Sequence, residues 1–162
     1  MQHESAPTTA RLETVMQRYA NTLFRISFVM LRNESDAEDV VQETMMKYLQ
    51  KSPTFKDAEH EKAWFIKVAT NRCRDMLRFR SRHPHIDIDS LGERSIETPY
   101  SGILEALMTL PETYKIVLLL YYVEEYRIER IAQIIGRTPS AVKMRLQKGR
   151  KLLEETYKKE YL

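Results

Sequence analysis

Apolar side chains recur every three or four residues along most of this 162-residue chain, which is the spacing of amphipathic helices. Only four glycines and six prolines interrupt the pattern, too few for a protein built from many turns. The pattern therefore predicts an all-α protein. Helices are predicted over residues 11–31, 35–50, 59–82, 103–110, 111–125, 128–135 and 139–158.

Local signals mark where several of these helices begin and end. The segment SDAE at residues 35–38 has the form of a capping box that opens the second helix. Pro84 ends the third helix, because the residue before a proline is disfavoured in helical geometry. Residues 83–102 lack periodicity and hold two prolines and two of the four glycines. We therefore expect two small helical domains, residues 1–82 and 103–162, joined by a flexible linker over residues 83–102.

The composition excludes several classes of protein. A single cysteine, Cys73, rules out a disulfide framework and a thiolate zinc site. The longest dense apolar run, Ile116–Val123, is too short for a membrane span of about 20 residues, and residues 1–13 hold no apolar signal core. We therefore expect a cytoplasmic protein without membrane insertion. We also expect no metal and no cofactor, since no ligand spacing links His3, His60, His83 and His85.

The net charge of +3 is the remainder of segments with opposite charge. Residues 62–82 carry seven Lys or Arg and one Asp, and residues 137–151 carry six Lys or Arg and no acid. Residues 34–43 carry five acids and no base. Two separate basic tracts favour contact with a polyanion at two places, although each tract alone also fits a solvated helix surface.

The last two predicted helices have the spacing of a helix-turn-helix motif. Ala132 allows the helices to approach closely, Gly136 supplies the turn, and Val142 packs the second helix against the first. Thr138 is a suitable N-cap with Pro139 after it. A helical hairpin with a solvated basic surface is the alternative. If the second helix enters the major groove, the candidate DNA-binding residues are Arg137, Ser140, Lys143, Met144, Arg145, Gln147, Lys148 and Arg150.

The third helix carries a second candidate DNA surface. Its apolar positions fall on one arc, and an aromatic, an amide and several cations fall on another at helical spacing. Such a stripe could hold a nucleic-acid backbone and stack or bond an unpaired base. The alternative is that the tryptophan is a partly buried packing residue and that the cations only make the surface soluble. The stripe consists of Trp64, Lys67, Asn71, Arg74, Arg78 and Arg82, of which the first five are the candidate DNA-binding residues.

The second helix has an acidic outward face. A negatively charged surface repels DNA, whereas it is complementary to a basic protein surface. A solvated acidic face is the alternative. The residues that share this face are Asp39, Gln42, Glu43 and Met46.

Four segments carry a family resemblance when they are taken in order. They are DAEDVVQETMMKYL (36–49), AWFIKVATNRCRDMLR (63–78), LPETYKIVLLLYYVEEYRIERIAQIIG (110–136) and SAVKMRLQKGRKLL (140–153). Together the segments resemble the extracytoplasmic-function sigma factors, which are small two-domain specificity subunits of bacterial RNA polymerase. With the first helix they cover nearly all of the chain outside the N-terminal tail and the linker.

The resemblance implies a role for each surface of the N-terminal domain. The acidic face of the second helix corresponds to the one that binds a coiled coil of the largest polymerase subunit. The third helix corresponds to the element that opens the minus-ten promoter region and captures its nontemplate strand. In related proteins a flipped base lies between a loop aromatic and an asparagine, which correspond here to Phe55 and Asn71.

The resemblance also implies that the helix-turn-helix reads the minus-thirty-five element. Relatives often have a Gly-Thr pair where this chain has residues 140–141, and a small polar residue in place of Met144. The identity of the bases that are read is therefore not implied. The positions that would face the bases are Lys143, Met144, Gln147 and Lys148.

As partners, the resemblance implies core RNA polymerase, promoter DNA and an anti-sigma factor. We expect no enzymatic activity, because the sequence holds no glycine-rich phosphate loop and no nucleophile motif. Two alternatives stay open at this point. One is a helix-turn-helix regulator that binds DNA without polymerase and whose N-terminal helices sense a signal or dimerise. The other is an enzyme that uses Cys73 or the histidines.

Overall fold

The computed structural model describes residues 8–83 and 101–161, and the regular structure in these ranges is helical. Three helices form an N-terminal unit, α1 (Thr8–Leu31), α2 (Glu34–Lys51) and α3 (Ala58–Arg82). The C-terminal unit consists of α4 (Ser101–Thr109), α5 (Glu112–Leu118), a π-helical turn (Leu119–Val123), α6 (Ile128–Ile135) and α7 (Pro139–Tyr161). The predicted all-α fold is confirmed.

The N-terminal unit is a three-helix arrangement in which α1 packs against both α2 and α3. The core of the unit holds Leu23 and Ile26 of α1 with Phe65 and Ile66 of α3, all fully buried. Cys73 is buried on the same side of α3. The apolar arc that the sequence predicts for the third helix therefore faces the core.

The start of α2 differs from the sequence prediction. The chain leaves α1 through Arg32 in a left-handed conformation, and Asn33 is extended. The Asn33 side-chain oxygen accepts a hydrogen bond from the Asp36 amide at 2.9 Å. Asparagine caps a helix as well as serine does, so α2 begins before Ser35. The predicted capping box of Ser35 and Glu38 is wrong.

The C-terminal unit also departs from the prediction in one element. The helix predicted over residues 111–125 is α-helical only to Leu118 and then widens into the π-helical turn. This wider turn keeps both Leu119 and Leu120 buried and ends at Val123, and the chain then passes through Glu125, which has a positive φ of 58°. Helix α4 begins two residues before the predicted start. The rest of the predicted linker, residues 84–100, lies outside the described residues.

The two units are packed together. Helix α3 contacts α6, and α1 contacts α4 and α5. The buried apolar side chains of both units form one connected cluster. Among the helices in the described ranges, none is both long and apolar enough to cross a membrane.

Candidate nucleic-acid and polymerase interfaces

The turn between α6 and α7 has the geometry that the sequence predicts. Gly136 has a φ of 68°, a left-handed conformation that glycine adopts without strain. The Arg137 amide donates to the Ala132 carbonyl at 3.0 Å and so closes the end of α6. Val142 is fully buried and packs α7 onto α6. The motif is therefore a helix-turn-helix.

The start and the middle of α7 are fixed by local contacts. The Thr138 hydroxyl oxygen accepts a hydrogen bond from the Ala141 amide at 3.1 Å, as expected for an N-cap. Gly149 is buried, and a Cβ atom at this position would lie 3.2 Å from Leu118 Cδ1 and 3.3 Å from Tyr114 Cβ. The absence of a side chain thus lets α7 pack closely against α5. Both contacts orient the opposite face of α7 toward solvent.

That opposite face of α7 is basic and open. Met144 is 66% exposed. Two of its cations contact tyrosines of the same unit. Lys148 Nζ lies 5.8 Å from the Tyr114 ring centroid, and Arg150 Nη1 donates a hydrogen bond to the Tyr122 hydroxyl at 3.0 Å. The predicted residues that are exposed are Arg137, Ser140, Lys143, Met144, Gln147, Lys148 and Arg150.

Arg145, the remaining residue predicted on this helix, is half-buried at the edge of the face. Burial lowers its pKa, and the nearby guanidinium groups of Arg137 and Arg74 lower it further. Arg74 belongs to α3, so the two basic surfaces meet at this point. The structure therefore brings three guanidinium groups near one another at the junction of the two units.

The predicted stripe on α3 is divided between solvent and the C-terminal unit. Asn71 and Arg78 are exposed, and Arg78 pairs with Asp75 at 3.5 Å. Lys67 is also exposed, and together with the half-buried Trp64 it lines a cavity of about 210 Å³ whose other wall is α6. Arg74 is only 17% exposed and is engaged with the C-terminal unit.

Phe55 and Asn71 have different neighbours in the structure. Phe55 packs edge-on against Trp64, with ring centroids 5.8 Å apart, and against His60 at 5.4 Å. Asn71 instead lines a cavity of about 150 Å³ between α2 and α3. The other residues that line this cavity are Glu43, Thr44, Lys47, Val68, Arg72 and Asp75.

The predicted acidic face of α2 is open to solvent. Asp39 and Gln42 are exposed, and Met46 is 57% exposed. Glu43 forms an ion pair with Arg72 of α3, and the hydrogen bond that Arg72 donates to the Glu43 carboxylate raises the pKa of Arg72. A partner that binds this face therefore meets Glu43 beside a cation of the same chain.

Sequence reasoning missed the residues that join the two units. Lys115 is 5% exposed, and burial lowers its pKa to about 8, so it remains charged at neutral pH. Its signal in the sequence is a lysine placed directly before the densest apolar segment of the chain. Glu112 and Glu124 also bridge the units and carry no comparable signal. In residues 8–83 and 101–161, no three His, Cys, Asp or Glu side chains cluster to hold a metal.

Comparison with known proteins identifies the family. The model described as "Sigma-70 region 2" matches residues 15–83, and the model described as "Sigma-70, region 4" matches residues 101–153. RNA polymerase sigma factor SigV of Bacillus subtilis is 31% identical over 159 residues, which cover 96% of each chain. The chain belongs to the extracytoplasmic-function sigma factors.

Other relatives of this sigma factor agree with that assignment. The ECF sigma factor SigW of B. subtilis is 23% identical over 161 residues, which cover 87% of this chain and 86% of SigW. Among solved structures, RpoE in complex with the anti-sigma factor NepR from Bartonella quintana shares the fold with a TM-score of 0.76 and 22% identity. That similarity covers 91% of this chain and 97% of RpoE.

The family establishes what the protein does in general terms. It is an alternative sigma factor that directs RNA polymerase to promoter DNA. The two matched regions lie on either side of residues 84–100 and include both the α3 stripe and the α7 face. A regulator that acts without polymerase is not favoured, and sigma factors are regulatory rather than catalytic proteins.

Proposed function

We propose that three separate surfaces divide the work of this sigma factor. The α2 face binds core RNA polymerase, the α3 stripe binds the opened minus-ten region, and the α7 face reads the minus-thirty-five element. The observation that carries the proposal is the distribution of charge. An exposed acidic face lies on α2, whereas exposed basic faces lie on α3 and α7.

Charge complementarity supports the polymerase assignment. An acidic face is repelled by DNA and attracted by a basic protein surface, and such complementarity fixes which surfaces meet. The exposed methionine adds an apolar contact to the face, and interfaces are enriched in methionine. The residues proposed to bind polymerase are Asp39, Gln42, Glu43 and Met46.

The α7 surface suits the major groove of duplex DNA. Its first turn is capped and begins sharply, so the exposed side chains of that end can point at base edges. Lys and Gln can hydrogen-bond to bases, while the flanking arginines can hold phosphates. The proposed minus-thirty-five residues are Arg137, Ser140, Lys143, Met144, Arg145, Gln147, Lys148 and Arg150.

The α3 surface suits a single strand whose bases are unstacked. Unstacking costs a few kcal/mol per step, which capture of a base can offset. Asn71 is exposed and can bond a base edge, and Phe55 offers an aromatic face near the start of α3. The proposed minus-ten residues are Phe55, Trp64, Lys67, Asn71, Arg74 and Arg78.

The experiment that tests this division measures two steps separately. Asn71→Ala should impair promoter opening, monitored by permanganate reactivity of unpaired thymines, and leave the affinity for core polymerase unchanged. Asn21→Ala is the matched control, because Asn21 is an exposed asparagine on α1. Equal loss of polymerase binding and opening in Asn71→Ala would contradict the assignment.

Further parts of the proposal concern organisation and partners. The domains extend over residues 1–82 and 103–162, with residues 83–102 as the linker, and the protein works in the cytoplasm without enzymatic activity. Solved relatives are complexes with anti-sigma factors, RpoE with NepR and CnrH with the cytosolic domain of CnrY, the latter with a TM-score of 0.69 and 20% identity. We propose an anti-sigma partner for this chain as well.

A further inference from the structure

Met144 is an apolar side chain in the middle of the α7 face that is proposed to read duplex DNA. It is 66% exposed, more than any other large apolar side chain in the described ranges. Its neighbours one turn away on the helix are polar and exposed, Ser140 on one side and Gln147 and Lys148 on the other. Met144 therefore contributes little to the packing of the C-terminal unit, and its apolar surface is available to a ligand.

The direction of Met144 is fixed by the residues on the opposite side of α7. Val142 is fully buried and Leu146 is 2% exposed. Successive residues of an α-helix are rotated by about 100°, so a residue two positions from each of these side chains points almost directly away from both. The helix cannot turn Met144 inward without exposing Val142 and Leu146 to water.

Met144 also lies near the end of α7 that would enter the groove first. The helix begins at Pro139, and the Thr138 cap fixes its first turn. In helix-turn-helix proteins the N-terminal residues of the second helix contact the base edges. Side chains of a helix lean toward its N-terminus, so Met144 extends toward Ser140 and Ala141. Both are small and leave room for the edge of a base pair beside the thioether.

The chemistry of the major groove limits what a methionine can recognise there. Guanine, adenine and cytosine present hydrogen-bonding groups in that groove, and thymine alone adds a C5 methyl group. A thioether sulfur is a weak acceptor and donates no hydrogen bond. Facing a guanine or an adenine, Met144 would cover acceptors that receive no hydrogen bond, which is unfavourable. Facing a thymine, it would bury apolar surface against the methyl group.

We propose that Met144 reads the C5 methyl group of a thymine in the minus-thirty-five element. This inference rests on the proposed role of α7 as the reader of that element, and it names the base that one position of the reader selects. The unbranched, polarizable side chain of methionine adapts its shape to such a contact. The minus-thirty-five element of this sigma factor therefore contains a thymine, on one strand or the other, opposite Met144.

The test uses the holoenzyme, formed from the full chain and core polymerase, on a promoter mapped by transcription. Each thymine of its minus-thirty-five element is replaced singly by deoxyuridine, which removes the C5 methyl group and leaves the base pair intact. Binding is measured by competition with the unmodified duplex. We expect one replacement to weaken binding about fourfold, because burial of one methyl group contributes a factor of about that size.

Two variants assign the methyl effect to Met144. Met144→Ala should bind the thymine duplex and the deoxyuridine duplex equally well, since its shorter side chain does not reach the methyl group. Met16→Ala is the matched control, because Met16 is an exposed methionine of α1 that belongs to none of the proposed surfaces. Met16→Ala should keep the full preference for thymine.

A second pair of bases provides an independent check at the same position. Cytosine lacks the methyl group, and 5-methylcytosine carries it on the corresponding ring carbon. The hydrogen-bonding groups of these two bases are identical, so a difference in binding between them reports the methyl group alone. The wild-type holoenzyme should bind the 5-methylcytosine duplex about fourfold more tightly than the cytosine duplex, whereas Met144→Ala should bind the two equally.

Three results would overturn the inference. The first is that deoxyuridine has no effect at any position of the element. The second is that deoxyuridine weakens binding of the wild type and of Met144→Ala to the same extent, because another group would then contact the methyl group. The third is a minus-thirty-five element that consists of G·C pairs only.

A further variant separates failure of this inference from failure of the proposed function. Lys143→Ala combined with Gln147→Ala removes two exposed polar side chains of the α7 face beside Met144. If this double variant binds the minus-thirty-five element as tightly as the wild type, α7 does not read the element, and the inference falls with the proposed function. If the double variant binds more weakly and deoxyuridine has no effect on the wild type, the α7 surface stands and only the methyl contact is refuted.

Discussion

Glu43 is proposed to bind polymerase, yet it also pairs with Arg72 of the same chain, and a charge swap separates these two roles. Both side chains are nearly half exposed, at 46% for Glu43 and 43% for Arg72. An exposed pair of this kind contributes about 0.2–1 kcal/mol to stability. We expect Glu43→Arg to lower the free energy of unfolding by no more than about 1 kcal/mol, or about 2–4 °C in Tm.

The loss of polymerase affinity should be larger than the loss of stability. Reversing a charge at a complementary interface places like charges together, and we expect a loss of at least about 1.4 kcal/mol, or tenfold in Kd. The double variant Glu43→Arg with Arg72→Glu restores the pair within the chain. It should recover the wild-type Tm but not the affinity for core polymerase.

Two measurements check this prediction, thermal unfolding of the free chain and titration of core polymerase with the fluorescently labelled chain. Glu38→Arg is the matched control, since it makes the same charge change on an exposed residue of α2 outside the proposed face. If the double variant regains polymerase affinity, Glu43 acts through Arg72 and does not contact polymerase. An equal loss in Glu38→Arg would attribute the effect to net charge.

Three further predictions concern the core, the packing of α7 and the DNA face. Burial raises the pKa of Cys73 from its ordinary 9 to about 11, so the wild type should lose about 2 kcal/mol of stability between pH 9 and pH 11 that Cys73→Ala does not lose. Parallel curves in urea unfolding would contradict this. Gly149→Ala gains about 1 kcal/mol of helix propensity but crowds Leu118 and Tyr114, at a cost of about 1–3 kcal/mol. Net stabilisation in urea unfolding would refute the close packing. Lys148→Ala should weaken binding of the holoenzyme to the minus-thirty-five element and leave polymerase affinity unchanged, which footprinting and titration can separate; a loss of polymerase affinity would contradict the assignment.

The helices could be predicted from the sequence because their faces are defined by residues a few positions apart. The apolar arc of α3, including Phe65, Ile66 and Cys73, is buried as its spacing predicts. The turn at Gly136 and the plug at Val142 also follow from local chemistry. Such features depend on the nearest turns of the chain and little on the remainder of the fold.

Helix ends and the π-helical turn were harder to predict because several residues compete for one position. Asn33 and Ser35 are both good caps, and the left-handed Arg32 decides in favour of Asn33. The turn at residues 119–123 depends on which leucines must be buried against other helices. Tertiary packing decides which leucines are buried, so the turn cannot be predicted from the local sequence pattern.

The junction between the units could not be predicted from the sequence. Lys115 contacts carbonyl groups more than 80 positions away, and Arg74 contacts a carbonyl 61 positions away. Every residue has a backbone carbonyl, so the sequence does not indicate which carbonyl groups accept hydrogen bonds from Lys115 and Arg74. For the same reason the α3 stripe was predicted as one surface, whereas in the structure Arg74 is paired with Glu112 of the C-terminal unit.

Reconstituted transcription tests the central claim most directly, because it requires polymerase binding, promoter recognition and promoter opening at once. Purified chain and core RNA polymerase are combined on fragments of genomic DNA, and the start sites are mapped. We predict initiation at discrete promoters only when both proteins are present, and no site-specific binding of DNA by the chain alone. Absence of promoter-dependent initiation on every fragment, together with site-specific DNA binding by the chain without polymerase, would contradict the account.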